Sequence, residues 1–210
     1  MSYFITFEGP EGSGKSTVIK HVHEALSKTC PVITTREPGG IAISEKIRDL
    51  LLDEGNVMDG RTEALLFAAS RRQHLVERVI PALNEKKIVL CDRFVDSSLA
   101  YQGMAREIGF DEVMSINQFA IDNHMPDLTI YLKLAPEVGL RRISDNRREN
   151  NRLDQETIDF HKKVVSGYNE LSMLYPERIK VVDASQSVEK VVSDTLTIIE
   201  EYINFRGEYL

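Results

Sequence analysis

The sequence predicts a three-layer α/β domain, a parallel sheet of about five strands with helices on both faces and right-handed crossovers. Three observations predict it. Short apolar runs recur at residues 3–7, 32–35, 88–92, 128–132 and 179–183, and segments of helical spacing separate them. The run Ile88-Val89-Leu90-Cys91 is apolar without alternation, as a strand covered on both faces requires, and it ends in the acid Asp92. Directly after the first run, Gly9-Pro10-Glu11-Gly12-Ser13-Gly14-Lys15-Ser16 completes a G-x-x-x-x-G-K-[ST] spacing between strand and helix.

That loop specifies chemistry as well as topology. Its glycines let successive backbone N–H groups turn toward one centre, and the helix beginning near Ser16 adds its positive end. A polyphosphate fits such a concavity. The spacing assigns Lys15 to the terminal phosphates of a nucleotide and the Ser16 hydroxyl to the Mg²⁺ bound to them. The expected donor-binding set is therefore Gly9, Pro10, Glu11, Gly12, Ser13, Gly14, Lys15, Ser16 and Thr17.

In chain order, residues 17–28 read as a helix with Val18, Val22, Ala25 and Leu26 along one side, stopped by Pro31. The strand at 32–35 hands over to Arg36-Glu37-Pro38-Gly39-Gly40, a turn at the strand's C-terminal end, where open α/β sheets collect their ligands. Arg36 is given a ligand role on that ground. Residues 43–53 read as a helix with Ile47, Leu50 and Leu51 inward and Arg48 on its outer side or over a cleft.

The longest helical pattern spans 62–84, opened by Thr62 as N-cap and carried inward by Leu65, Ala68, Leu75, Val76, Val79 and Leu83. Phe67 and Arg71 stand one turn apart, away from that stripe. A ring and a guanidinium so placed could hold a planar base by face and by edge; the alternative is a peripheral core ring beside a surface ion pair.

Asp92, at a strand end beside the phosphate loop, is positioned to support Mg²⁺ directly or through water, and Arg93 shares that strand end. A short helix is expected at 97–103, where Gln102 both donates and accepts, matching a pyrimidine's adjacent N–H and carbonyl. Helices follow at 112–123 and from Pro136. Residues 141–152 are polar, rich in Arg and Asn and without apolar anchors, so the stretch at about 141–153 is expected to be a mobile lid that closes over nucleotide. Helices at 157–175 and 188–202 complete the chain.

At 210 residues the chain suits one domain. Its net charge of −7 excludes broad nucleic-acid binding, which needs a basic face, whereas the local arginine density fits small anionic substrates. No apolar run is long enough to span a membrane and no basic-then-apolar leader opens the chain, so the cytoplasm is the expected compartment. Cys30 and Cys91 lie far apart without C-x-x-C spacing, which suggests neither zinc nor a disulfide framework.

The stretch from Phe7-Glu8 through the loop to Ser16, together with Arg36 to Gly40, Asp92-Arg93-Phe94 and Ala100-Tyr101-Gln102-Gly103, resembles the bacterial thymidylate kinase family. Phe67 with Arg71, and Arg152-Leu153-Asp154, extend the resemblance over essentially the whole chain. It implies the P-loop kinase fold, a homodimer, and Mg²⁺-dependent transfer of the γ-phosphoryl of ATP to dTMP. It also implies that Phe67 stacks on thymine while Arg71 and Gln102 bond its edge. Arg36, Arg48 and Arg93 would hold the monophosphate, with Glu37 and Pro38 in the same turn, and Ser97 and Tyr101 would line the nucleoside pocket.

By the same resemblance Arg93 offsets charge during transfer, and Asp92 serves the metal or orients a cation. The family has one form with an arginine inside the loop and another with that charge in the lid. Here Glu11 occupies the loop position, so the chain resembles the lid-arginine form, with Lys15, Arg93, Asp92, Arg142 and Arg148 catalytic and Arg142, Arg148 and Arg152 against ATP. Departures at Ala42, Ile43, Phe94, Met104 and Glu107 bear on the pocket rim rather than on the reaction. Two rivals are weaker. A deoxynucleoside kinase needs an acid as general base for a neutral hydroxyl, and a nucleotide-dependent switch that binds a protein partner is disfavoured because the chain lacks the N-K-x-D element for guanine and its polar lid suits turnover better than a stable switch.

Overall fold

A computed structural model describes residues 2–145 and 152–207. Strands β1 (Tyr3–Glu8), β2 (Val32–Arg36), β3 (Ile88–Asp92), β4 (Leu128–Lys133) and β5 (Ile179–Asp183) form one parallel sheet in the order β2-β3-β1-β4-β5. The expected three-layer architecture is borne out. In the register, Tyr3 lies opposite Ile88 and Phe7 opposite Asp92, so β1 and β3 end level and bring Glu8, Asp92 and Arg93 to one rim.

Alternation along β1 supplies both layers. Tyr3, Ile5 and Phe7 pack on Val18, Ile19 and Val22 of α1 (Lys15–Leu26) and on Val191 and Ile199 of α9 (Val188–Gly207). Phe4 faces the other way, into a core with Leu75, Phe94, Val164 and Tyr168. Removing each such side chain from water stabilises the fold by roughly 2 kcal/mol. Thr6 and Glu8 share Phe4's face, and each is hydrogen-bonded there: Thr6 to the Thr129 hydroxyl at 2.8 Å and Glu8 to Ser97 at 2.6 Å.

Several local expectations are corrected. In α2 (Ala42–Leu52) Leu51 is fully buried but Leu50 is exposed. Helix α3 (Gly60–His74) starts before Thr62, because Asp59 caps it: Oδ2 accepts from the N–H groups of Arg61 at 2.9 Å and Thr62 at 3.1 Å. Leu65 and Val76, expected inward, are exposed. The buried face of α3 instead carries Glu63, Arg71 and His74, and hydrophobic spacing cannot identify a face lined with charge. A π-helical turn, Leu75–Val79, then precedes α4 (Ile80–Asn84) and Pro81, with the Ile80 N–H reaching Leu75 O. The extra residue per turn rotates the following stripe out of phase.

Helix α5 (Val95–Ser98) and a π-helical stretch, Leu99–Ala105, occupy the expected short helix; α6 (Phe110–Ile121) follows. Residues Arg141–Asp145 belong to α7 (Pro136–Asp145), and Leu153 is buried in the core ahead of α8 (Ile158–Leu174). Within 141–152, expected to lack apolar anchors, Ile143 is buried on α7, and the stretch ends against buried Leu153; residues 146–151, Arg148 among them, lie outside the described residues. Cys91 is buried and Cys30 partly so, both as free thiols. No described helix is long and apolar enough to cross a membrane.

Candidate active site

The phosphate loop is shaped by close backbone contact. Gly12 and Gly14 have φ of 72° and 88°, and a Cβ on Gly12 would stand 2.2 Å from the Gly139 carbonyl oxygen in α7. The converse holds: a Cβ on Gly139 would stand 2.1 Å from Glu11 O. Gly139 was not singled out in the sequence. Gly14 caps α1 without a side-chain hydrogen bond, leaving first-turn N–H groups for an anion. Lys15 Nζ donates to Gly9 O at 2.9 Å and Pro10 O at 3.1 Å, and burial, then the Arg93 charge, lower its pKa to about 8.

Ser16 Oγ donates to Asp92 Oδ2 at 3.2 Å, while Asp92 Oδ1 is buried without a hydrogen-bond partner among the described residues. A hydroxyl and an underused carboxylate are hard oxygen donors that fit Mg²⁺, an ion that keeps phosphate and water as its other ligands.

Arg93 has a left-handed backbone, φ 69°, a strain of about 1–2 kcal/mol outside glycine. Strand β1 holds it there: Arg93 N–H donates to Phe7 O at 2.9 Å and the next N–H, of Phe94, to Glu8 Oε1 at 2.7 Å. The guanidinium then lies 5.0 Å from the centre of the Tyr101 ring, with Nη2 donating to Glu11 Oε1 at 2.7 Å and Nη1 3.2 Å from Gly9 O, Ser97 Oγ and the Tyr168 hydroxyl. Burial opposes the charge, but Glu11 and then Tyr101 hold the Arg93 pKa above its ordinary value.

Below this group Glu8 accepts from Ser97 at 2.6 Å and Tyr168 at 2.9 Å, and burial followed by the Asp96 charge pushes its pKa up to about 7. Asp96 itself is held by Arg178 at 2.6 and 2.8 Å. Sequence reasoning missed Glu8 and Tyr168 as members of the site. The available signal was an acid ending a strand that is otherwise buried.

A second group of charged residues is built on the turn after β2. Arg36, exposed, pairs with Glu45 at 2.9 and 3.0 Å, and Glu45 also accepts from Gly40 N. Arg48 Nη1 donates to Pro38 O at 2.9 Å; burial, then the Arg36 charge, lowers its pKa from the ordinary value. Glu37 is buried and supports Arg71, accepting from its Nε at 2.7 Å and pairing with His74 Nδ1 at 2.8 Å. Arg71 is 1% exposed, so the surface ion pair weighed as the alternative is excluded.

One cleft, of about 860 Å³, brings most of the expected residues together. Glu11 through Thr17 and Arg142 line it together with Arg36, Glu37, Pro38, Arg48, Phe67, Arg71, Ser97, Tyr101, Gln102, Asp92 and Arg93. Gly9 and Pro10 act through their carbonyls on Lys15 rather than by lining it. Arg142 donates to Gly12 O at 3.4 Å and Ala184 O at 3.1 Å. Arg152, expected against ATP, is off the cleft, bonded to Leu51 O at 2.9 Å and Glu63 at 2.6 Å. Gln186 and Val188 also line the cleft and were not anticipated.

Residues 7–195 match the thymidylate kinase family model. The chain is 64% identical over 194 residues to a thymidylate kinase of Clostridium novyi (strain NT), covering 91% of this chain and 95% of that one. It is 57% identical over 203 residues to a thymidylate kinase of Staphylococcus haemolyticus (strain JCSC1435), covering 97% and 100%. The crystal structure of thymidylate kinase from Ehrlichia chaffeensis superposes with a TM-score of 0.78 at 32% identity, covering 95% of this chain and 98% of that one.

Proposed function

The chain belongs to the thymidylate kinase family, and from that premise we propose how its cleft divides the work. The enzyme transfers the γ-phosphoryl of ATP to dTMP, giving dTDP and ADP for dTTP synthesis. In our reading the loop residues from Gly9 to Thr17, with Arg142, hold ATP, and Arg36, Arg48 and Arg93 hold the monophosphate. Phe67 stacks on the base, Arg71 and Gln102 read its edge, and Ser97 and Tyr101 line the nucleoside pocket. Arg93, between the halves, offsets charge as the phosphoryl moves. The carrying observation is that the guanidinium groups of Arg36, Arg48 and Arg93 and a phosphate loop line one cleft. Such transfer needs alignment and charge neutralisation rather than a covalent intermediate.

Ser16 and Asp92 would hold Mg²⁺, which supplies charge to the bridging phosphates when bound. Arg148, outside the described residues, would add cationic charge toward ATP. We further propose a homodimer, supported by the exposed apolar side chains of Leu65 on α3 and Phe119 on α6, helices that pack on each other. The cytoplasm is the proposed compartment, since free thiols and ATP both belong there.

Steady-state kinetics test the division. Arg48→Ala should raise the KM for dTMP with that for ATP unchanged, and Arg142→Ala the reverse. If both substitutions weaken the same substrate, the division is wrong.

A further inference from the structure

Gln102, buried on the π-helical stretch, donates from Nε2 to Glu63 Oε1 at 2.8 Å. The two ends of an amide are ordinarily distinguished only by their partners. Here the partner leaves one choice. Glu63 is completely buried, and burial would raise its pKa, but hydrogen bonding from Gln102, the charge and hydrogen bonds of Arg106 and the hydrogen bond of Arg152 outweigh burial and lower it. Arg106 Nη2 stands 3.2 Å and Arg152 Nη2 2.6 Å from Glu63 Oε2. The group is therefore an anion that only accepts. Gln102 must turn its nitrogen to Glu63 and its oxygen toward the cleft, where no described residue hydrogen-bonds that oxygen.

Arg71 supplies the complementary atom. Its Nε donates to Glu37, Nη1 to Ser98 and Asn117, and one Nη2 hydrogen to Phe94 O, so the second Nη2 hydrogen is left over. An acceptor beside a donor matches the N3–H and 4-carbonyl of a thymine or uracil edge. It opposes cytosine, whose N3 accepts and whose 4-amino group donates. Glu63, Phe67 and Arg71 are spaced four residues apart on α3, so one ridge carries all three.

We propose that Glu63 is the positioning residue that sets the base selectivity of the acceptor site, by forcing the Gln102 amide to present its oxygen. The proposal rests on reading Gln102 and Arg71 as the base-edge residues. Its logic is rejection as much as attraction, because cytosine meets an acceptor facing an acceptor. A glutamine at position 63 can donate as well as accept, so it permits the flipped Gln102 amide that cytosine needs.

The test compares kcat/KM for dTMP and dCMP in the full-length enzyme. In Glu63→Gln the dTMP:dCMP ratio should narrow about tenfold or more, the scale of one misdirected buried hydrogen bond. In Glu63→Asp, whose carboxylate retracts by roughly 1.5 Å, it should narrow less. Arg106→Gln removes one of the two ion pairs to Glu63, leaving that of Arg152 and the Glu63–Gln102 bond, and should retain the wild-type ratio with a lower melting temperature.

A wild-type ratio in Glu63→Gln, or in Glu63→Asp if the first variant does not fold, overturns the proposal. So does an equal narrowing in Arg106→Gln, which would mark a merely structural role. Gln102→Leu separates the two readings. If it narrows the ratio and Glu63→Gln does not, the edge reading stands and the role of Glu63 falls; if Gln102→Leu leaves the ratio intact, the edge reading itself fails.

Discussion

Arg93 Nη2 donates to Glu11 Oε1 at 2.7 Å, which ties the cation at the end of β3 to the middle of the phosphate loop. Tyr101 closes the arrangement by donating to the same carboxylate oxygen at 3.0 Å while its ring lies under the guanidinium. The positive charge is thereby fixed between the two halves of the cleft before any phosphate arrives. Charge held in place in this way needs no reorganisation during the reaction.

Arg93→Ala is accordingly expected to lower turnover about a hundredfold or more with the fold intact, the scale of losing a preorganised charge. A steady-state assay with a parallel circular dichroism melt measures both. Near-normal turnover would reject the role.

Glu8 links stability to pH. Its folded pKa, about 7, lies above the ordinary 4.5, so the native state keeps a proton that the unfolded chain has released. The Glu8 contribution to stability is therefore present below pH 4.5 and is lost as pH rises through 7. Glu8→Gln should flatten that decline, because an amide cannot ionise. Urea midpoints for both proteins across this range decide it, and parallel curves would refute the linkage.

Lys15, with a pKa lowered from 10.5 to about 8, has the opposite sign: its burial depresses stability below pH 8, and that penalty fades as pH rises toward 10.5. A polyphosphate beside the amine restores the ordinary preference for the charged form. ATP binding above pH 8 should therefore take up a proton, and Lys15→Met should abolish that uptake. Calorimetry in buffers of different ionisation enthalpy reads it directly; uptake that persists in Lys15→Met would assign the proton elsewhere.

Gly139→Ala should be disruptive although Gly139 is neither in the loop nor at a positive φ. Its Cβ would meet the Glu11 carbonyl at 2.1 Å, and backbone must shift to admit it. The expected result is about 1–3 kcal/mol of lost stability, the usual penalty of overpacking, with a raised KM for ATP. An unchanged ATP KM would show that the loop tolerates displacement.

What the sequence by itself determined is what neighbours in the chain decide. The inner strands β1 and β3 were legible because a parallel strand buried on both faces is mainly apolar, and the half-exposed edge strands β2 and β5 from their short runs of branched apolar residues. The phosphate loop was legible because its chemistry lies within consecutive residues. The family resemblance then pointed to Arg93, Phe67 and Gln102, which the structure brings to one cleft with the loop.

What only the tertiary structure decided concerns charges that would be costly to bury alone. Glu8 is tolerated because Tyr168, 160 positions away, bonds it, and Glu63 because Gln102, 39 positions away, does. The inward face of α3 was misread for the same reason: a buried Arg71 or Glu63 looks like surface until its partner is known. A local pattern records which groups are apolar. The partner that makes a buried polar group stable, or the glycine that makes room for a loop, is set by segments that meet only when the chain has folded.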